Sequence, residues 1–190
     1  MDFFNNHIMN NYIGIMNNYI MSVPFEVDNI NQAYKDDMVK KFIHDKIKKN
    51  SEESGYNTLF DDSVYTNTIK NKFLKIIDDK FWISNPLSEI KTWIYVQNNE
   101  YYNSVWHNHV TTSTINAVYY INPPAVGGEL ELMMNGQIFK IKPKINYLYL
   151  FPYWMDHRPV VQESSDWRIS VNIEYLCEQR AKVKETGILW

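Results

Sequence analysis

The sequence has little cysteine and little glycine. Cys177 is its single cysteine among 190 residues, so no intrachain disulfide can form and a reducing compartment inside the cell is favoured. Glycine is scarce at 6 residues, whereas aromatic residues are abundant, with 14 Tyr, 9 Phe and 6 Trp. That balance favours an ordered, β-rich fold over a disordered chain. We therefore expect a cytoplasmic globular protein.

Long apolar runs and clusters of one charge sign are also missing. No run approaches the roughly 20 residues that a membrane helix needs, and residues 1–21 have neither the basic start nor the apolar stretch of a signal peptide. The formal net charge is −3 at pH 7, with lysines interspersed among acidic residues, which gives no electrostatic reason for nucleic-acid binding. The sequence thus predicts neither a membrane nor a nucleic-acid partner.

Residues 23–176 are predicted to form a single domain, because a chain of this length can bury one sizeable core. An N-terminal extension, 1–22, precedes this domain, and a polar C-terminal tail, 177–190, follows it. Within the domain, residues 28–85 are predicted to be helical support and residues 88–176 to be the strand-rich core.

Two helices and then many short strands are predicted in this domain. The helices run from about Ile30 to Lys49, where Asn29 can cap the first turn, and over Thr66–Trp82. After Pro86 the apolar period changes from 3.6 to 2, which marks the start of the strands. The predicted strands are 23–27, Ile90–Gln97, Thr112–Ile121, Glu129–Met134, Gln137–Ile141, Tyr147–Phe151 and Trp167–Tyr175. This order favours a mainly β fold with N-terminal helices, namely a double-stranded β-helix (a jelly-roll, cupin-like barrel) backed by helices.

The predicted strands carry a polar face and an apolar face. In the last strand the odd positions are apolar and the even positions are polar. The polar ones are Arg168, Ser170, Asn172 and Glu174. Thr112–Ile121 shows nearly the same division. Because side chains alternate across a strand and small barrels can enclose a ligand, we expect the polar faces to line a cavity and the apolar faces to pack on the helices. The alternative is a polar face turned to bulk water, as in an ordinary sandwich.

Three histidines lie in the strand-rich part. His107 and His109 are one residue apart, so on a strand their side chains project to the same side. His157 can complete a triad from another strand, and three neutral imidazoles suit a first-row transition metal. Arg168 and Ser170 follow it and can hold a small dianion beside the metal. Each signal is weak alone, since a His-x-His pair is more often structural, but together they indicate metal-dependent oxygen chemistry.

Six short motifs occur in an order that carries a family resemblance. They are His107-Asn108-His109, Val118-Tyr119-Tyr120-Ile121-Asn122-Pro123, Gly127-Gly128-Glu129-Leu130, Leu150-Phe151-Pro152, His157-Arg158-Pro159-Val160 and Arg168-Ile169-Ser170-Val171-Asn172. Together they resemble the 2-oxoglutarate/iron(II)-dependent oxygenases, and most of all the small phage and marine-bacterial members related to the prolyl 4-hydroxylases. The resemblance spans roughly residues 90–176. It is compatible with a phage-encoded protein that acts inside the host cell.

The resemblance implies that Fe(II) is held by His107, His109 and His157. Most family members have a carboxylate at the position of His109, so an imidazole there leaves the metal site more positive and changes its redox potential and oxygen reactivity. Phage-type relatives also carry histidine here, which argues for a working site. Asp156 is not expected to replace it, because neighbouring strand residues face opposite ways. A second registration, with His109 as the first ligand and Thr111 at the carboxylate position, would leave an open coordination site, as in halogenating relatives.

The resemblance also implies a pocket for 2-oxoglutarate as cosubstrate. Arg168 matches the basic residue that pairs with the far carboxylate, a role that suits a planar, permanently charged guanidinium. Ser170, two residues on and facing the same way, adds a hydroxyl. Tyr120 matches the tyrosine whose phenol reaches the cosubstrate, Gln97 lies where relatives have a further contact, and Asn172 lines the same pocket.

The activity that the resemblance implies is that of a dioxygenase. It would consume O2 and 2-oxoglutarate, release succinate and CO2, and hydroxylate an unidentified substrate, either a protein side chain or a small metabolite. Two other interpretations stay open: a three-histidine cupin-type dioxygenase without cosubstrate, and a non-catalytic jelly-roll binding protein. The loops 50–65, 98–106 and 153–156 are expected to decide the substrate. A homodimer formed through an exposed edge strand also stays open.

Overall fold

The computed structural model describes residues 21–27, 30, 32–48, 58–59, 64–81 and 89–176. In these residues the chain forms two helices and nine strands. The helices are α1 (Gln32–Lys48) and α2 (Val64–Phe81), and the strands are β1 (Met21–Pro24), β2 (Thr58–Leu59), β3 (Glu89–Gln97), β4 (Ile115–Asn122), β5 (Leu130–Met134), β6 (Gln137–Ile141), β7 (Tyr147–Pro152), β8 (Asp156–Pro159) and β9 (Arg168–Leu176). Neither helix is long and apolar enough to cross a membrane. The predicted tail, most of the predicted extension and the predicted cap Asn29 lie outside the described residues.

The predicted elements agree closely with the observed ones. Both helices are confirmed, and the strands predicted after Pro86 correspond to β3, β4, β5, β6, β7 and β9. β4 begins at Ile115 rather than at Thr112, because the amides of Thr112 and Ser113 both donate to the carbonyl oxygen of His109 (3.1 Å each) and form a turn. The sequence predicts neither β2, which falls in the predicted loop 50–65 and pairs with β3, nor β8. The four residues of β8 lack apolar alternation and become a strand by pairing with β5.

The strands form two antiparallel sheets. The larger sheet has the order β1-β7-β4-β9-β3-β2, and the smaller one has the order β6-β5-β8. β1 begins at Met21, earlier than predicted, because Met21 pairs with Leu150 of β7. A tight turn at Asn135-Gly136, with φ values of 51° and 75°, joins β5 and β6 in the hairpin geometry that favours this dipeptide. The predicted mainly β fold, backed by N-terminal helices, is confirmed.

One face of the larger sheet packs against the two helices. The strands contribute Ile94, Val96, Ile115, Ala117, Tyr119, Ile121, Leu148, Leu150, Ile169, Val171, Ile173 and Tyr175, and the helices contribute Tyr34, Met38, Phe42, Ile69, Phe73 and Ile77. All of these side chains are buried. The predicted packing of apolar strand faces on the helices is therefore confirmed, and this cluster forms the main hydrophobic core.

The other face of the larger sheet turns toward the smaller sheet. Val118, Tyr149 and Phe151 of the larger sheet share a second apolar cluster with Leu130 and Leu132 of β5. Beside this cluster the inner face carries polar side chains and borders a cavity. The same strands thus build a core on one side and a cavity on the other, as small β-barrels and sandwiches do around a ligand.

Candidate metal centre and its cavity

Three histidines converge where β8 meets the segment that precedes β4. The backbone amide of His107 donates to the carbonyl oxygen of His157 (3.1 Å), and the amide of His157 donates to that of His107 (2.8 Å). The amide of His109 donates to the carbonyl oxygen of Tyr153 (2.9 Å). One ligand atom of each histidine lies within 4.8 Å of those of the other two. The three imidazoles can therefore reach one metal ion.

The backbone geometry that aligns His107 with His109 differs from the predicted one. Sequence reasoning places both on one regular strand, whereas His107 forms an isolated bridge with His157 and a turn begins at His109. Separate backbone anchors, on His157 and on Tyr153, therefore align the two rings. The ring centroids of His107 and His157 are 4.2 Å apart, and those of His109 and His157 are 5.1 Å apart.

Carbonyl groups fix the orientation of two of the rings. Nδ1 of His107 lies 2.9 Å from the carbonyl oxygen of Val105, and Nδ1 of His157 lies 3.0 Å from that of Met155. A carbonyl oxygen accepts hydrogen bonds and cannot donate them, so each Nδ1 carries the proton. Nε2 of both rings then keeps a free lone pair, which is the arrangement of histidines that bind metals.

A buried carboxylate fixes the orientation of the third ring, that of His109. Nδ1 of His109 lies 2.5 Å from Oε1 of Glu174 on β9, and Glu174 is 8% exposed. Burial raises the pKa of Glu174, but hydrogen bonds from His109 and Thr112 and the charge of Lys91 outweigh it and hold the pKa below its ordinary value. Sequence reasoning assigned Glu174 no role. The signal that identifies it is its place on the strand face that carries Arg168.

Burial keeps the His157 imidazole neutral. It lowers the pKa of His157 well below its ordinary value, and the neighbouring His107 ring lowers that pKa further. His107 is exposed to solvent on one side, but partial burial of its ring still lowers its pKa, more than the hydrogen bond to the Val105 carbonyl raises it. Neutral imidazole is the form that binds metals, so these rings are ready ligands at neutral pH.

The donor set fits a first-row transition metal such as iron(II), because all three groups are imidazoles with a nitrogen to offer. Asp156 does not join them, since its Oδ1 accepts a hydrogen bond from Asn108 (2.7 Å). Among the described residues, the group that can hold a metal consists of His107, His109 and His157. The membership of His107 disfavours the alternative registration that begins at His109.

The cluster borders a cavity of about 750 Å³, which lies in the range of roughly 300–1,000 Å³ that small-molecule sites occupy. The even positions of β9 line it as the alternation predicts, with Arg168, Ser170, Asn172 and Glu174. Aromatic and apolar side chains complete much of the wall, namely Trp93, Tyr95, Val118, Leu130 and Phe151. The polar strand faces therefore border an internal cavity rather than bulk water.

A guanidinium group without an ionic partner lies in this cavity. Arg168 is 2% exposed. Its Nη2 donates to the Tyr120 hydroxyl (2.7 Å), and its Nη1 donates to the carbonyl oxygen of Gly128 (3.2 Å). Its Nε has no partner in the described structure, and the ion pairs formed by described residues do not include it. Because a buried, unpaired charge is costly, this arrangement indicates that an anionic ligand completes the site.

The other predicted cosubstrate residues lie near Arg168 but differ in their access to the cavity. Ser170, which is 1% exposed, and Asn172 both line it. Tyr120 contacts Arg168 without lining the cavity. Burial raises the pKa of Tyr120 more than Arg168 lowers it, so the phenol keeps its proton. Gln97 pairs with Arg168 across β3 and β9 but is not among the described residues that line the cavity.

Asn116 lies on the polar face of β4, which the alternation predicted to line the cavity, although it was not predicted to bind a ligand. It is 3% exposed, it lines the cavity, and in the described structure neither atom of its amide group has a hydrogen-bond partner. A buried amide without partners costs free energy. A ligand group that can both donate and accept hydrogen bonds is therefore expected beside it.

Comparison with known proteins shows similarity of fold without similarity of sequence. No protein-family sequence model matches the chain, and no curated protein matches it. A prolyl-4-hydroxylase from Pseudomonas putida shares 12% identity and a TM-score of 0.54, over 90% of this chain and 99% of that one. A viral collagen prolyl hydroxylase from Paramecium bursaria Chlorella virus 1, in a 2OG complex, shares 16% identity and a TM-score of 0.53, over 84% and 96%.

An oxidoreductase of the 2OG-Fe(II) oxygenase family from Burkholderia pseudomallei shares 12% identity and a TM-score of 0.56, over 89% of each chain. Identities this low show a common fold and do not by themselves transfer an activity. They agree with the two antiparallel sheets and the helices behind the larger sheet. The chain has the jelly-roll fold of the 2-oxoglutarate/iron(II)-dependent oxygenases.

Proposed function

We propose that the protein is an iron(II)- and 2-oxoglutarate-dependent dioxygenase that hydroxylates a protein side chain or a small metabolite and releases succinate and CO2. One observation carries the proposal: a three-histidine cluster and a buried guanidinium without an ionic partner line the same cavity. The cluster suits a metal ion, and the guanidinium suits a carboxylate. The fold shared with solved oxygenases supports the same class of reaction.

Iron would be held by His107, His109 and His157. The carbonyls of Val105 and Met155 hold two of these rings with Nε2 free. Bound iron supplies the one-electron chemistry with O2 that amino-acid side chains lack. Burial keeps the His157 ring neutral, and hydrogen bonds fix all three rings, so little reorganisation is needed when the metal binds.

The far carboxylate of 2-oxoglutarate would pair with Arg168. Its guanidinium is already fixed by Tyr120 and Gly128, so the cosubstrate meets a preformed donor and pairs a charge that is otherwise buried alone. Ser170 would add a hydroxyl from the same face of β9. Asn172 would line the pocket beyond it, whereas Gln97 would need a change of side-chain conformation to reach the cosubstrate.

The rest of the cavity would take the primary substrate and O2. Its volume exceeds that of a five-carbon dianion, and the unpartnered amide of Asn116 offers the substrate a donor and an acceptor. Apolar walls such as Val118 and Phe151 exclude water from the reacting groups. Several solved structures with this fold are prolyl hydroxylases by name, which supports a protein side chain as one substrate class.

An anaerobic titration of the apoprotein with Fe(II) and then 2-oxoglutarate tests the proposal. A visible iron-to-ketoacid charge-transfer band is expected with 2-oxoglutarate and not with succinate. His157→Ala is expected to abolish iron binding. Arg168→Ala is expected to keep iron and to need about 100-fold more 2-oxoglutarate, because losing one partner of a buried charged pair costs about 3 kcal/mol.

Arg158→Ala is the matched control. The Arg158 guanidinium pairs with Glu131 (2.8 Å) and lies 4.6 Å from the centre of the Trp106 ring, outside the cavity lining, so its loss should leave the affinity for 2-oxoglutarate unchanged. Iron binding without the band would overturn the cosubstrate and leave a three-histidine dioxygenase that needs none. No iron binding would overturn the enzyme proposal and leave a binding protein.

A further inference from the structure

The metal cluster is built from neutral ligands and is electrostatically asymmetric. Three imidazoles carry no negative charge. A divalent cation in a partly buried site is nevertheless stabilised by a negative charge nearby. Glu174 is the carboxylate that contacts the cluster among the described residues, with Oε1 at 2.5 Å from Nδ1 of His109. His107 and His157 contact neutral backbone carbonyls instead. The charge of Asp156 also acts on His107, but its carboxylate hydrogen-bonds Asn108 and not a ring. The carboxylate in direct contact with an imidazole therefore lies behind one ligand.

Glu174 is held in this position by the sheet and not by the metal. It lies on the central part of the larger sheet, where its Cα partners are Lys91 of β3 and Asn116 of β4. Thr112 donates a hydrogen bond to its carboxylate in addition to the one from His109. A carboxylate fixed on several sides loses little conformational entropy when it orients a neighbouring group.

A carboxylate on Nδ1 changes what His109 offers at Nε2. By accepting the Nδ1 hydrogen bond it fixes the tautomer, so Nε2 carries the lone pair. It also draws the Nδ1 proton toward itself, which strengthens Nε2 as a donor and adds a negative charge one imidazole away from the metal.

We propose that Glu174 acts through His109 as the charged positioning residue of the metal centre and supplies from β9 the negative charge that the three ligands lack. The inference rests on the proposed function only in requiring that the histidines bind a divalent metal ion. It requires neither 2-oxoglutarate nor a particular substrate.

Co(II) affinity of the full chain tests the inference without recourse to activity, and the Co(II) absorption bands report the ligand geometry. Glu174→Gln keeps a hydrogen-bond acceptor and removes the charge, so Co(II) binding about tenfold weaker is expected. Glu174→Ala removes both, and binding about 100-fold weaker is expected. Glu131→Gln is the matched control, because Glu131 is 3% exposed and pairs with Lys140 and Arg158 outside the cavity lining. It should leave Co(II) affinity unchanged.

A His109→Asp background separates a charge effect from general damage. With a carboxylate at position 109 the site has its own negative charge, and the Nδ1 hydrogen bond through which Glu174 acts is absent. In this background Glu174→Gln is expected to weaken Co(II) binding by about threefold or less. A residue that only supports packing would weaken binding equally in both backgrounds. Far-UV circular dichroism establishes that each variant is folded.

Different results would contradict the role of Glu174 and the proposed function. Equal Co(II) affinity of the wild type and Glu174→Gln, or an equal loss in both backgrounds, would overturn the role of Glu174 and leave the proposed function intact. A wild-type chain that binds no Co(II) would overturn both. A loss of Co(II) affinity in the wild-type background that largely disappears in the His109→Asp background supports the inference.

Discussion

Adjacent residues of β9 point to opposite faces of the sheet, and their burial has opposite effects on the stability of the fold. Ile169 and Val171 point toward the helices, where they are buried among apolar side chains. Arg168 and Ser170 point into the cavity, where burial leaves polar groups incompletely bonded. Burial of apolar area stabilises a fold by about 25 cal/mol per Å², whereas burial of unpaired polar groups costs free energy. Stability and ligand binding are therefore divided between the faces of the same strands.

The division has a counterpart on β4. Tyr119 lies in the helix-facing core, and its hydroxyl donates to Asn146 (3.1 Å). Tyr120, the next residue, lies on the inner side, where its hydroxyl accepts from Arg168. Adjacent residues of one strand should therefore give different phenotypes when substituted. Proteins commonly carry destabilising groups where they bind ligands, and the inner face fits that pattern.

The largest expected effect comes from the outer face. Ile169→Ala should lower the free energy of unfolding by about 2–5 kcal/mol, because it empties a core site that is 1% exposed. Ser170→Ala, one residue on, should change it by about 1 kcal/mol or less and should instead weaken 2-oxoglutarate binding. Urea unfolding measures the first effect, and the charge-transfer titration measures the second. Equal losses of stability in the two variants would contradict the division of faces.

A change of opposite sign is expected on the inner face. Arg168→Met replaces a buried cation that lacks an ionic partner with an apolar side chain of similar length. Such replacements are neutral or stabilising by about 1–4 kcal/mol. The free energy of unfolding of the apoprotein should therefore stay equal or rise while 2-oxoglutarate binding is lost. Arg158→Met is the control, because Arg158 has an ion pair with Glu131 to lose and its substitution should lower stability. A similar decrease in both variants would show that Arg168 supports the fold.

The division into apolar and polar strand faces was predictable from the sequence, because an alternation with period two depends only on neighbouring residues. The alternation in Trp167–Tyr175 placed Ile169 in the core and Arg168 in the cavity, as observed. The turn at Asn135-Gly136 was equally predictable, since it depends on two adjacent residues.

Long-range contacts were not predictable in the same way. β8 has no alternation of its own and exists through its pairing with β5. The alignment of His109 depends on an anchor to Tyr153, and the importance of Glu174 depends on a contact between distant parts of the chain. Residue types alone predicted which histidines to consider. The hydrogen bonds that orient them required the folded chain.

The smaller sheet also has an apolar face and a polar face, but the expected effect on the free energy of unfolding is smaller. On β5, Leu130 and Leu132 join the inner apolar cluster. Glu131 lies between them on the opposite side and accepts from Arg158 (2.8 Å) and Lys140 (3.0 Å). Lys140 is largely exposed, so the ion pair is screened by solvent. Glu131→Gln should therefore lower the free energy of unfolding by only about 1 kcal/mol near neutral pH.

The pH dependence of this loss identifies its cause. Burial raises the pKa of Glu131, but hydrogen bonds from Lys140 and Arg158 outweigh it, and the pKa in the folded protein lies below its ordinary value of 4.5. A carboxyl group with a depressed pKa contributes stability above its unfolded pKa and loses it as the pH falls through the folded pKa. The difference in the free energy of unfolding between wild type and Glu131→Gln, measured in urea, should thus be constant above pH 4.5 and shrink toward zero below it. A difference in the free energy of unfolding that persists in acid would mean that Glu131 stabilises the smaller sheet by packing. The charged face of β5 would then contribute to stability in the same way as the face that carries Leu130 and Leu132.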